Sequence, residues 1–425
     1  MIGRLALATV AAWLVVAAIV LGRFADAVLP ASYLIRPLVV AAVLALAIGG
    51  GQLIAGRHAV ALATGIAVLI VLPDPVIALA MAGVLIGVEL LRRRGRMPGD
   101  TQRPVLLLVG VFFGLGLVRA ISVIDLPTDA GYRADSGGPP MYVVLLDGYP
   151  RIDSLDALGI DNQPFVDALE SRGFDHYPDA HSLHTKTHKT LLALLTDESV
   201  NDEPVTVAER RAIRKRLVVP PGFIAIDPPI GFVTLGPGPH VDPGGVNDFE
   251  AQLVGQSAVA VLASDWAWSW LLDGFRDRVD GALSLLETRP ERRIFVHLAA
   301  PHPPFLYGAD GSADAPRWCW PQCGLFVNTV EGLGVSPDQW AGGMAAQLHG
   351  LNARLVETLD ALIARHPDAV IVLFSDHGGR VSTADPDEWH RSFLAARTPG
   401  HPGLFAAAPS PDTIIRTLLS TYAEP

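Results

Sequence analysis

The chain is poor in cysteine and in charged residues, and each shortage excludes a class of protein. Two cysteines in 425 residues, Cys319 and Cys323, are too few for a disulfide-rich scaffold. The net charge of −11 leaves no basic stripe that could follow a phosphate backbone, so we expect no nucleic-acid partner. Only 18% of the residues are charged, which is low for an ordinary soluble enzyme.

The low charge content reflects an apolar N-terminal region. Mean hydropathy is +0.36, and the apolar excess lies in roughly the first 120 residues. Five apolar segments there are candidates for membrane spans: Leu5 to Leu21, Leu38 to Ala55, Ala59 to Leu72, Pro75 to Leu91 and Val105 to Val118. The third is short enough to be re-entrant, so a transmembrane region at 1–122 with four or five helices is predicted.

Arginines between these segments predict the orientation. A run of arginines at 92–96 follows the fourth segment and indicates a cytoplasmic loop, and Arg57 indicates the same side. Everything after about residue 122 then lies outside the cytoplasm. We therefore expect a multi-pass protein of the cell membrane with an extracytoplasmic domain. In that compartment Cys319 and Cys323 form either a local disulfide or two free thiols.

A different pattern begins after a linker at 123–140 that is rich in Gly, Pro and Asp. From 141 to 425, short apolar runs of the β type alternate with helical stretches. The predicted strands are Met141 to Leu146, Arg293 to Ala299, Ala369 to Phe374 and Ser392 to Arg397; the predicted helices run from about Pro337 to Arg365 and from Ser410 onward. This alternation predicts an α/β domain with a largely parallel sheet flanked by helices.

Polar side chains follow or occupy three of the predicted strands. In parallel sheets, function collects in the loops past the carboxyl ends of strands. Asp147 follows the first strand, and the adjacent Asp376 and His377 follow the third, where both could reach one divalent cation. His297 lies in the second strand and His302 just beyond it. Taken alone, Asp147 and Asp376 also fit ordinary turns or helix caps.

Hydroxyl and basic residues cluster at 184–190, just before a short buried helix that is predicted from Thr190 onward. The free N–H groups at a helix N-terminus suit a phosphate or a sulfate. A threonine there becomes an effective nucleophile when a divalent metal binds its oxygen. By themselves, the same hydroxyls also fit a helix cap.

These elements together resemble the alkaline phosphatase and sulfatase-like superfamily. The resemblance rests on four motifs: Leu-Asp-Gly-Tyr at 146–149, Lys-Thr at 186–187, His-x4-His-Pro-Pro-Phe at 297–305 and Phe-Ser-Asp-His-Gly at 374–378. It points to the sulfatase-like membrane proteins that include lipoteichoic acid synthases and lipid A phosphoethanolamine transferases. Those proteins also place transmembrane helices before an extracytoplasmic catalytic domain.

The resemblance implies a role for each residue of the site. It implies the metal ligands Asp147, Thr187, Asp376 and His377. Thr187 is also the implied nucleophile, with Thr190 and then Thr185 as alternatives. His302 and His297 resemble the histidines that bind the substrate or protonate its leaving group, and His390 and Arg391 are weaker candidates.

Two departures from the superfamily refine the expected chemistry. Thr-His-Lys-Thr-Leu at 187–191 stands where arylsulfatases carry the residue that becomes formylglycine, and threonine cannot yield that aldehyde. The segment 297–305 lacks the Asp, four residues before a His, that two-metal phosphatases need. One divalent ion is therefore expected, and the oxygen and nitrogen ligands favour Mn or Zn over Ca or Mg.

The implied function is metal-dependent transfer of a phosphoryl group through a covalent phospho-threonine. Its expected partners are the membrane and a lipid or envelope-polymer substrate whose head group is transferred. Two alternatives stay open at this point. One is a sulfatase-like hydrolase of phosphodiesters or sulfuric esters, and the other is a catalytically inactive, membrane-anchored binding module.

Overall fold

The computed structural model describes residues 17, 20–21, 31–43, 118, 138–196, 198, 201, 206–230, 233–236, 238–255, 260, 263–312, 330–381 and 384–422. Cys319, Cys323, nearly all of the linker at 123–140 and most of the five apolar segments lie outside these residues. The disulfide and the number of spans therefore stay predictions. In the part of the chain that is described, no helix is both long enough and apolar enough to cross a bilayer.

Contacts divide the described residues into two compact units, of which the first combines Met1–Leu126 with Asp248–Trp268. In this unit a 3-10 turn at Ala31–Leu34 continues into helical residues at 35–43. Four large apolar side chains on these helical residues are between 56% and 63% exposed: Ile35, Val39, Val40 and Val43. Their spacing places them along one side of the helix, which therefore presents an apolar face.

The second unit combines Pro127–Asn247 with Ser269–Pro425 and contains the sheet. Its strands are β1 (Met141–Leu146), β2 (Asp175–His176), β3 (Ile224–Ile226), β4 (His240–Val241), β5 (Arg293–Leu298), β6 (Val370–Phe374) and β7 (Leu394–Arg397). The helices from residue 138 onward are α1 (Ile152–Ala157), α2 (Gln163–Glu170), α3 (Thr187–Thr196), α4 (Val207–Arg214), α5 (Asp248–Gly255), α6 (Ser264–Thr288), α7 (Val330–Leu333), α8 (Pro337–Arg365) and α9 (Ile414–Thr421). Short 3-10 turns lie at Glu388–His390 and Pro411–Thr413.

The seven strands form one sheet in the order β2-β7-β6-β1-β5-β3-β4. Strand β1 pairs in parallel with both β5 and β6, and β3 pairs in parallel with β5 and β4. Only β7 and β2, on one side of the described sheet, pair antiparallel. Every residue of β1 is buried, as expected for a central parallel strand that is covered on both faces. The predicted α/β domain with a largely parallel sheet and flanking helices is confirmed.

The predicted elements with the strongest local signals have nearly the predicted bounds. Helix α8 begins at Pro337 behind Ser336, whose hydroxyl accepts from the backbone N–H of Gln339 at 3.1 Å while the Gln339 side chain accepts from the N–H of Ser336 at 3.0 Å. This capping box satisfies two N–H groups that the helix itself leaves free. Helix α3 begins at Thr187 rather than at the predicted Thr190. Its first turn therefore carries the hydroxyl of Thr187.

Candidate metal and nucleophile site

Neighbouring strands of the sheet bring the predicted ligands together. Strands β1 and β6 are adjacent and parallel, so the residues that follow them lie at the same edge, about 4.8 Å apart across the ladder. Asp147 follows β1, and Asp376 and His377 follow β6. All three side chains are buried. They are called the acid–histidine group below.

The ligand atoms of the acid–histidine group converge. The Nε2 atom of His377 lies 3.2 Å from Oδ2 of Asp376 and 3.6 Å from Oδ1 of Asp147. One ligand atom from each residue lies within 4.8 Å of the other two. These separations allow the three atoms to bind a single cation between them.

Backbone contacts fix which atoms face this common point. The Nδ1 atom of His377 donates to the carbonyl of Gly378 at 2.7 Å, so in the neutral ring Nε2 is an acceptor. The N–H of Gly148 donates to Oδ1 of Asp376 at 3.1 Å. The other oxygen of Asp376 and Oδ1 of Asp147 are buried and have no hydrogen-bond donor among the described residues. Two buried carboxylate oxygens without a donor, beside an imidazole acceptor, fit a cation.

The electrostatics of the two acids lead to the same conclusion. Burial, and then the negative charge of Asp147, raise the pKa of Asp376 to about 7. Burial also acts to raise the pKa of Asp147, but the hydrogen bond with His297 and the nearby His302 outweigh it and hold that pKa below its usual range. Burial and the charge of Arg380 lower the pKa of His377. A divalent cation would stabilise both carboxylates in their ionised form, which burial alone opposes.

The predicted nucleophile lies against this group. The hydroxyl of Thr187 is 3.5 Å from Nε2 of His377. The hydroxyl of Thr190 donates instead to the backbone carbonyl of Asp376 at 2.9 Å, and so supports the loop. Thr185 is buried just before α3. These contacts favour Thr187 over Thr190 as a fourth ligand and as the reacting hydroxyl.

The two predicted histidines occupy different positions. His297, on β5, places Nε2 at 3.0 Å from Oδ2 of Asp147, so its contact is with a ligand side chain, which it orients. The backbone N–H of His302 donates to the carbonyl of Asp147 at 3.0 Å. The Nδ1 atom of His302 donates to the carbonyl of Pro303 at 2.7 Å, which leaves Nε2 of the neutral ring as an acceptor.

The weaker candidates make contacts around the loop that precedes α3. Nδ1 of His390 contacts the carbonyl of Ser182 at 2.9 Å, and its ring stacks on that of His181 at 5.2 Å. Arg391 forms an ion pair with Asp387 at 2.8 Å. Within the described part of the chain, these distances join neither residue to the acid–histidine group.

A second set of charged side chains at the same sheet edge was not predicted. It consists of Asp227, His240, Asp242 and Arg278 and is called the β3–β4 cluster. Nδ1 of His240 lies 2.8 Å from Oδ1 of Asp227, and Nη1 of Arg278 lies 3.1 Å from Oδ1 of Asp242. The sequence Phe-Ile-Ala-Ile-Asp at 223–227 is an apolar run that ends in Asp, like the run that precedes Asp147. This pattern could have located the β3–β4 cluster.

The loop after β6 contains two further residues that were not predicted. The carboxylate of Glu388 accepts from the N–H of Gly379 at 3.0 Å and from the N–H of Val381 at 3.2 Å. Between them, Arg380 has a φ of 51°, a value that is uncommon outside glycine. No local sequence pattern specifies this conformation, because the two hydrogen bonds that hold it come from Glu388, eight positions further along the chain.

The fold and the site define an α/β domain with a largely parallel sheet and a candidate metal centre at one edge of it. No protein-family profile and no curated protein sequence matches the chain. Among solved structures, it is similar to the C-terminal periplasmic domain of EptC from Escherichia coli, with 15% identity, a TM-score of 0.38, and coverage of 70% of this chain and 86% of that chain.

Two further solved structures bear names of enzymes. One is the integral membrane lipooligosaccharide phosphoethanolamine transferase EptA from Neisseria meningitidis, with 14% identity, a TM-score of 0.39, and coverage of 92% of this chain and 74% of that chain. The other is a phosphonate monoester hydrolase from Silicibacter pomeroyi, with 14% identity, a TM-score of 0.42, and coverage of 66% and 72%. Because the scores lie below 0.5, the reaction has to be inferred from the site geometry.

Proposed function

We propose that the protein is a metal-dependent enzyme that transfers a phosphoryl group from a lipid or cell-envelope head group through a covalent phospho-Thr187. The observation that carries this proposal is the position of the Thr187 hydroxyl, which lies at the first turn of α3, 3.5 Å from Nε2 of His377. A nucleophile at this place meets the N–H groups of a helix N-terminus and the ligands of a cation.

One divalent ion, Zn or Mn, would be held by Asp147, Asp376, His377 and Thr187. When bound, it would supply charge stabilisation for the transferred group and activate the threonine hydroxyl. The mixed oxygen and nitrogen ligand set supports these two metals over Ca and Mg.

The chain's own groups divide the reaction into two displacements. In the first, the Thr187 hydroxyl gives up its proton and its oxygen bonds to phosphorus, while the bond from phosphorus to the donor's departing oxygen breaks and that oxygen takes up a proton. In the second, an acceptor hydroxyl gives up its proton and bonds to phosphorus, while the bond from phosphorus to Thr187 breaks and the threonine oxygen takes up a proton. We assign the proton exchange to Nε2 of His302, because Nδ1 of that ring is held by Pro303. His297 keeps the carboxylate of Asp147 oriented.

Two features support a lipid donor and a membrane location. The surface beside His297 is mainly apolar and includes the side chains of Phe275, Leu298 and Leu306. Such a surface suits contact with the apolar part of a lipid next to its head group. The apolar face at 35–43 and the four or five predicted spans support anchoring in the cell membrane, with the catalytic domain extracytoplasmic.

The test is the variant Thr187→Ala in the full-length protein, assayed with a chromogenic phosphodiester and a chromogenic sulfate ester. We expect turnover of the phosphodiester to fall by at least roughly 1,000-fold, because the group that forms the covalent intermediate is gone. Mass spectrometry should find a phosphoryl group on Thr187 of the wild-type protein.

Thr196→Ala is the matched control, because Thr196 lies at the other end of α3, where its hydroxyl donates to the carbonyl of Leu192 at 2.7 Å and accepts from the N–H of Glu198 at 3.3 Å. Retained activity in Thr187→Ala would contradict the proposal. Preferred turnover of the sulfate ester would favour the sulfatase-like hydrolase, and release of the group to water alone would favour a phosphodiesterase.

A further inference from the structure

The loop after β6 lies directly against the acid–histidine group. A side chain on Gly148, which follows Asp147, would meet the ring of His377 at 3.2 Å and the carbonyl of Gly378 at 3.8 Å. A side chain on Gly379 would meet the ring of Pro150 at 2.8 Å. The segment 378–381 is therefore packed on the turn that carries Asp147, and Arg380 projects from a backbone with no freedom to shift away.

This backbone is held in an unfavourable conformation by several contacts. The N–H of Gly378 donates to the carbonyl of Trp389 at 2.8 Å, and the two oxygens of Glu388 accept from the N–H groups on either side of Arg380. Glu388 is buried, so this clamp is shielded from water. A non-glycine residue at φ 51° persists only where its surroundings over-determine it, and such positions cluster at functional sites.

The charge balance of the site calls for a cation in addition to the metal. Two ionised carboxylates, Asp147 and Asp376, balance one divalent ion and leave nothing to match the charge of an incoming phosphoryl group. Burial lowers the pKa of Arg380, while the charges of Asp147 and Asp376 act to raise it. The charge of Arg380 in turn acts, after burial, to lower the pKa of His302 and of His377. A guanidinium offers paired N–H donors that match two oxygens of a phosphate.

We propose that Arg380 binds the non-bridging oxygens of the phosphoryl group at this site, and that Glu388 is the positioning residue that holds it there. The proposal rests on the proposed function for the identity of the anion. Arg380 is partly exposed and lies at the rim of the buried ligands, where an anion arriving from solvent would meet it.

The structure offers an unusually clean variant for the test. Glycine is the residue that best tolerates φ 51°, so Arg380→Gly removes the guanidinium and relieves the backbone at the same time. We expect its thermal midpoint to match that of the wild type, since the relieved strain offsets the greater freedom of glycine in the unfolded chain. Arg380→Lys keeps the charge without the paired donors. Arg172→Gln is a surface control, because Arg172 pairs with Asp360 on α8.

The experiment measures binding of zinc, and then of inorganic phosphate to the zinc-loaded, full-length protein, by calorimetry. We expect Arg380→Gly to bind zinc as the wild type does and to bind phosphate roughly 10- to 100-fold more weakly. The phosphate affinity of Arg380→Lys should lie between those of Arg380→Gly and the wild type, and the phosphate affinity of Arg172→Gln should equal that of the wild type.

Phosphate affinity in Arg380→Gly within about twofold of wild type would overturn the inference, since a charged hydrogen bond to the anion is worth more than that. A parallel loss of zinc in this variant would also overturn it, because Arg380 would then support the ligands rather than the anion. Absence of zinc binding in the wild type would instead overturn the proposed function.

Discussion

Two groups of charged side chains lie at the same edge of one sheet, and they are satisfied in opposite ways. In the β3–β4 cluster every charged side chain has a partner: Asp227 pairs with His240, and Arg278 pairs with Asp242 and donates to the carbonyl of Gly244 at 2.7 Å. In the acid–histidine group, by contrast, one carboxylate oxygen of Asp147 and one of Asp376 are buried without a hydrogen-bond partner among the described residues.

The difference separates a structural ion-pair cluster from a binding site. Buried polar groups in folded proteins are nearly always hydrogen-bonded, so a set of unbonded acceptors that share one point requires a particular reason. Residue type alone does not make this distinction, because both groups contain a histidine and two acids that follow strands of the sheet. The arrangement of their partners does make it.

Replacement of one acid in each group should produce the largest contrast. Asp376→Asn removes a charged ligand, and we expect zinc affinity to fall by more than about 100-fold, since loss of a mere supporting partner costs about 10- to 100-fold. Asp227→Asn, in the β3–β4 cluster, should leave zinc affinity unchanged. Calorimetric titration of both full-length variants provides the measurement. Equal effects would erase the distinction between the two groups.

Acidification should weaken ion binding at the first group. Asp376 has a pKa of about 7, so below that pH a proton occupies the carboxylate and competes with the cation. We expect zinc affinity to fall by about tenfold for each pH unit below 7 and to level off above it. The ring of His377 adds little in this range because its pKa is lowered and it stays neutral. A flat profile between pH 5 and 7 would contradict the assigned role of Asp376.

The smallest effect is expected from the β3–β4 cluster and concerns stability. His240→Phe removes bonds to Asp227 and to the carbonyl of Gly236, at a cost of about 1–3 kcal/mol in the free energy of unfolding. Burial opposes the charged ring, but the bond with Asp227 outweighs it and raises the pKa of His240.

The sign of the pH dependence follows from that raised pKa. The stabilisation is fully present below the unfolded-state pKa of about 6.5 and is lost as the pH rises through the higher folded-state value. The difference in urea stability between wild type and His240→Phe should therefore be largest in mild acid and shrink towards alkaline pH. A difference that grows with pH would show that His240 does not act as the charged partner of Asp227.

The sequence was most informative where one local signal decides the structure. The continuous apolar runs of β1 and β6 and the capping residues of α8 predict their elements within one residue, because each depends on neighbours in the chain. Strands β2 and β4 have two residues each, too few to show a periodicity. Their existence depends on pairing with distant strands, which no local pattern reveals.

The same limit applies to the site. Asp147, Asp376 and His377 were predicted as ligands because they follow strands, and the structure brings them together, while their roles stay predictions. The contact of His297 with Asp147 depends on the register of β5 against β1, which the sequence does not contain. The conformation of Arg380 depends on Glu388 in the same way.

The three strands β5, β1 and β6 are consecutive in the sheet, and this order has a consequence for how such a protein can diversify. The spacing between ligands is inherited from the hydrogen-bonded ladder, a repeat of about 4.8 Å that is common to all sheets. Loops beyond the strand ends can therefore be exchanged, lengthened or reshaped to admit a new substrate while the spacing of the ligands that bind the ion stays the same.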